Sequence, residues 1–91
     1  MKTIASIDAY ITSMCKNSKE FKEDYEQVMD VVNGDSSNGS FKSMVYRLHK
    51  SVHDQIEITL KTLGYTTKSY GIYGELYDLE ISWRFVWPQN K

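Results

Sequence analysis

The sequence predicts an α+β fold, with two or three N-terminal helices followed by a C-terminal antiparallel β-hairpin packed on the helical layer. Three observations carry this expectation. Tyr77, Leu79, Ile81, Trp83, Phe85 and Trp87 alternate with Asp78, Glu80, Ser82 and Arg84, the period of a strand with one buried and one wet face. Ile7, Ile11, Met14, Phe21, Tyr25, Val28 and Val32 fall at steps of four and three once Ser18 is included, the stripe of an amphipathic helix. The 91 residues are 41% hydrophobic and 25% charged, a globular composition with room for one modest core, so one domain over residues 1–91 is expected.

Ser18 is the one polar residue in the first stripe and marks a break. Asn17 is placed to cap a second helix, with Glu20 three residues on as in a capping box. These signals predict one helix over about 6–15 and another over about 18–32, ended by Asn33-Gly34. The small, polar residues 33–40 predict a flexible loop. A third and longest helix is expected from about 40 to 63, since Phe41, Met44, Val45, Leu48, Val52, Ile56, Leu60 and Leu63 share a helical stripe. Leu63-Gly64-Tyr65 reads as its close, with glycine left-handed and Tyr65 packing back. β-prone residues from Thr66 to Tyr73 then lead through a turn near Gly74 into the alternating strand, which Pro88 ends. Two strands are marginal alone, so the hairpin must lie on the helices or pair with a second copy, which leaves a homodimer open.

Eleven Lys and Arg against 12 Asp and Glu give a formal charge of −1. That balance supplies no general attraction to nucleic acid or to anionic lipid. No apolar run approaches the roughly 20 residues that span a bilayer, and Ser6 and Asp8 interrupt the stretch a secretory signal would need. A cytoplasmic protein with no membrane association is expected. Cys15 stands alone, without a disulfide partner or metal-ligand spacing, and no cofactor-binding or phosphate-loop motif is present.

His49 and His53 lie four apart, with Glu57 four further on, so on one helix all three share a face as a metal site requires. The pattern lacks the general-base glutamate of helical metalloprotease sites and any further His or Cys ligand. Metal binding or metal-dependent catalysis through His49, His53 and Glu57 is therefore the alternative reading, and no catalytic or metal residue is assigned. Ser51 and His53, two apart on a helix, point to different faces and cannot serve as nucleophile and base. Tyr70, Tyr73, Tyr77, Trp83, Phe85 and Trp87 suggest a second alternative, a platform for stacking single-stranded nucleic acid. Such platforms need a positive groove, whereas the segment from residue 71 sets Glu75, Asp78 and Glu80 against Arg84 and Lys91. Core packing accounts better for Trp83 and Phe85, and direct nucleic-acid binding is disfavoured.

Charge distribution is the most usable signal. Residues 17–35 hold six acidic side chains against two lysines, a net charge of −4, while residues 36–70 sum to +3. Opposite charges flanking a helix seam, or plainly solvated faces, explain much of this. The sharper reading is an acidic stripe of Glu20, Glu23, Asp24 and Asp30 opposite the apolar one, extended by Asp78 and Glu80 if the hairpin lies alongside. The expected function is a small non-enzymatic protein-binding module, an inhibitor or adaptor that occludes a partner with a basic or nucleic-acid-binding surface. Its narrowest form is a phage-type antagonist of a nucleic-acid-processing host defence enzyme, with carboxylates imitating DNA phosphates, though −1 overall is a small charge for such a mimic.

Overall fold

Ser18 divides the N-terminal stripe into two helices. In the computed structural model, which describes residues 4–83, these are α1 (Ile4–Asn17) and α2 (Lys19–Ser37), followed by β1 (Lys42–His49), a 3-10 turn (Lys50–Val52), α3 (His53–Thr62), β2 (Thr66–Tyr73) and β3 (Leu76–Ser82). The cap of α2 is Ser18 rather than Asn17. Ser18 is extended (φ −139°, ψ 113°) and its Oγ accepts from the Phe21 N–H at 3.1 Å, whereas Asn17 closes α1 and its Nδ2 donates to the Ser13 carbonyl at 2.8 Å. Ser18→Ala is expected to cost about 1 kcal/mol, read from the urea unfolding midpoint.

The second helix does not stop at Asn33-Gly34. It runs to Ser37, taking up most of the stretch expected as loop and leaving 38–41 as the connection to β1. Gly34 weakens a helix interior by up to about 1 kcal/mol, but the last turn is held from outside. Ser43 Oγ donates to Asp35 Oδ2 at 2.6 Å. Gly39, with φ +91°, then lets the Gly39 and Ser40 N–H groups bond the Ser36 and Asp35 carbonyls, each at 3.0 Å.

The largest correction concerns residues 40–63, which are not one helix. Residues 42–49 form a strand, and only 53–62 continue as α-helix after the 3-10 turn. A bulge reconciles the two patterns. The register shifts between Val45 and Leu48, and Arg47 takes a left-handed φ of +63°. That one-step slip brings Ser43, Val45 and Leu48 all inward, a set that a regular strand cannot bury on one face. Phe41, placed on the expected stripe, is instead 54% exposed. The closing signal of the third helix holds: Gly64 has φ +103°, and the Tyr65 and Gly64 N–H groups bond the Leu60 and Lys61 carbonyls.

The expected hairpin exists as β2–β3, turning at Gly74 with φ +63°. It belongs to a three-stranded antiparallel sheet of order β1-β3-β2. α3 carries the chain from one edge strand to the other, and β3 fills the slot between them, a split β-α-β arrangement. The helices cover one face. Phe21, Val28 and Val32 of α2, Val52, Ile56 and Leu60 around α3, and Val45, Leu48, Tyr77, Leu79 and Ile81 of the sheet form the core, with Ile11, Met14 and Tyr25 packed against it. Trp83 continues the ladder by donating its N–H to the Phe41 carbonyl at 3.0 Å, and its ring meets Tyr65 edge-on. Arg84, Phe85, Trp87 and Pro88 lie outside the described residues. Among the described residues, no helix is long and apolar enough to cross a membrane.

Candidate functional site

The acidic residues singled out by the sequence separate into three places. Phe21, Asp24, Val28 and Val32 occupy the inner stripe of α2, so Asp24 faces the core and is 1% exposed. In this conformation it is out of a partner's reach. The signal was present, because Asp24 stands three after Phe21 and four before Val28. Glu20, Glu23 and Asp30 are exposed on α2, joined there by Glu26. Lys22 meets Glu26 at 3.9 Å with both groups well exposed, a contact of little energy. Gln27 Nε2 donates to the Tyr46 carbonyl at 2.9 Å, tying α2 to the bulge of β1.

Asp78 and Glu80 do not extend this stripe. Tyr77, Leu79 and Ile81 point toward the helices, so their alternates stand on the opposite face of the sheet. There Glu80 pairs across the strands with Met44 and Lys68, meets Lys42 Nζ at 3.9 Å and accepts the Tyr70 hydroxyl at 3.2 Å. Asp78 Oδ1 accepts the Arg47 N–H at 3.2 Å, and Lys68 Nζ sits 5.4 Å from the Tyr70 ring centre. Acidic groups thus run through the middle of the face on which the hairpin aromatic Tyr70 is exposed, a poor setting for phosphates.

The histidine pair also divides. His49 ends β1 and His53 begins α3, so the helical spacing that suggested a shared face with Glu57 does not apply to His49. The backbone N–H of His49 donates to Asp24 Oδ2 at 2.7 Å, and its Nδ1 lies 2.8 Å from Oδ1. On the far side of Tyr77, His53 Nε2 is 2.7 Å from Ser69 Oγ, which donates to Glu57 Oε2 at 3.0 Å, while Nδ1 faces Asp54 Oδ1 at 3.1 Å. Among the described residues, no group of three or more His, Cys, Asp or Glu is arranged to hold a metal. What the two clusters do is bind layers together, α2 to β1 through Asp24 and His49, and α3 to β2 through His53, Glu57 and Ser69. Ser69 carried no sequence signal, since its role depends on a strand folding back onto α3.

Burial raises the Asp24 carboxyl above the usual carboxylate range, offset in part by the His49 hydrogen bonds. Burial also drives the Tyr77 phenol upward, reinforced by the negative charges of Asp24, Glu57 and Asp54. Its hydroxyl is buried without a hydrogen-bond partner among the described residues, and the ring meets His53 edge-on at 4.7 Å. Comparison of the chain with protein-family models, with curated protein sequences and with solved structures finds no match.

Proposed function

We propose that the protein is a small binding module, without chemistry of its own, that occludes a protein partner through the exposed acidic side of α2. The observation that carries this reading is the run of Glu20, Glu23, Glu26 and Asp30, all exposed on a 19-residue helix whose only cations are Lys19 and Lys22. At 1.5 Å per residue that helix offers a surface about 28 Å long, enough to meet a basic face on another protein. The partner carries a positive, nucleic-acid-binding type of surface, and the protein acts as an inhibitor or adaptor. In the narrowest version it is a phage-type antagonist whose α2 carboxylates stand where phosphates would. Occupation of His49, His53 and Glu57 by contacts between layers supports this reading over a metal-dependent one.

Reversing charge at Glu20, Glu23 and Asp30 together to lysine tests it. Capture of the partner is expected to weaken by at least about tenfold, with the wild-type interaction itself fading as salt rises. Circular dichroism should show an unchanged fold, because exposed helix charges contribute only tenths of a kcal/mol each. Undiminished capture by the folded triple variant would rule the acidic surface out.

A further inference from the structure

We infer that the depression between the start of α3 and the ring of Tyr77 binds a neutral carboxamide group of a polypeptide, its carbonyl oxygen accepting from the Tyr77 hydroxyl. The depression holds about 350 Å³ and is walled by Lys50, Ser51, His53, Asp54, Gln55 and Tyr77. Five of these come from one continuous turn of chain, whereas Tyr77 rises from the central strand toward the helices. An inward side chain stands roughly perpendicular to its sheet, so the far end of the ring is what reaches that turn. His53 lies edge-on against the ring there, and the charge of Asp54 acts on the hydroxyl. The hydroxyl, on a residue 0% exposed, has no hydrogen-bond partner among the described residues. Phenylalanine would fill the same space without burying an unbonded donor, so the hydroxyl is a cost to the fold that a ligand's acceptor removes.

The rest of the wall can admit a ligand. Among the described residues, the side chains of Lys50, Ser51 and Gln55 make no hydrogen bond or ion pair, so the two long ones swing off the hydroxyl without breaking a bond. Charge then selects what enters. Lys50 and Asp54 cancel within the wall, while Asp24, Glu57 and Asp54 together press the phenol to keep its proton. The hydroxyl is thus a fixed donor at neutral pH, set in a field that repels an anion. A cation brings no acceptor for it. A carbonyl oxygen accepts from it with no charge to bury, and the amide N–H beside that oxygen finds an acceptor in the Gln55 side chain.

This site stands apart from the acidic side of α2, and its test does not touch the charges there. Propionamide, propionate and propylammonium, alike in size and different in charge, are titrated separately into 15N-labelled protein, with N-methylacetamide as a fourth probe. Saturable shifts in the millimolar range are expected on the amides of Ser51, His53, Asp54, Gln55 and Tyr77 with the two neutral probes. Tighter binding of propionamide assigns a side-chain amide and tighter binding of N-methylacetamide a peptide bond, either of which supports the inference. The two ions should bind at least about fivefold more weakly. Tyr77→Phe should weaken amide binding by about fivefold or more while keeping a cooperative unfolding transition. In the wild type, Overhauser contacts should join the bound propionamide to the Tyr77 ring, a readout that does not depend on the variant. Lack of saturable shifts at these amides, an ion bound as tightly as propionamide, unchanged affinity in folded Tyr77→Phe, or no contact with the Tyr77 ring would each overturn the inference.

Discussion

Asp24→Ala is expected to lower the free energy of unfolding by about 3 kcal/mol, measured by urea denaturation at neutral pH. The alanine leaves the His49 backbone N–H and ring facing a gap in a buried position where Asp24 supplied both acceptors, at 2.7 and 2.8 Å. A loss below about 1 kcal/mol would mean that the pair contributes nothing beyond packing. Asp24→Asn should behave differently, since it keeps an acceptor for the N–H and removes the cost of a buried charge. Because burial raises the folded-state value of Asp24, the folded protein holds that proton more tightly than the unfolded chain. The wild type's advantage over Asp24→Asn should therefore be full below the unfolded carboxylate range, near pH 4, and shrink as pH rises through the raised value. An advantage that grows with pH would show that the His49 bonds outweigh burial.

Tyr77 should give opposite signs for two substitutions. Tyr77→Ala is expected to cost about 4 kcal/mol, because it empties the fully buried centre of the sheet, between Leu48 across the strand and the ring of His53. Tyr77→Phe removes a buried hydroxyl that has no partner among the described residues and should raise the unfolding free energy by up to about 1 kcal/mol. Thermal and urea unfolding of both variants give the comparison. Destabilisation by Tyr77→Phe would show that the hydroxyl is bonded after all.

Elements whose signals are local were legible in the chain. Alternation placed Tyr77, Leu79 and Ile81 inward, Gly74 turned the hairpin, Ser18 marked the break between helices, and Leu63-Gly64-Tyr65 closed α3. The candidate site was half legible. Exposure of Glu20, Glu23 and Asp30 follows from their distance from the apolar stripe, whereas Asp24, counted among them, sits on the stripe itself, where only a distant histidine makes a carboxylate tolerable.

The strand β1 was not legible, and the reason lies in its partners. Met44, Val45 and Leu48 suit a helix face as well as a bulged strand, so periodicity alone cannot choose. The choice is made by β3, which supplies hydrogen bonds to β1 from about thirty residues away through the pairs Val45↔Leu79 and Leu48↔Tyr77. The same non-local pairing sends Asp78 and Glu80 to the face away from α2. By itself the sequence determined the mix of helix and antiparallel strand, the turns and the acidic character of α2, all set by side-chain periodicity and backbone preference within a few residues. Only the tertiary structure decided the third strand and the separation of His49 from His53, because a strand's backbone groups are satisfied only by another segment brought beside it.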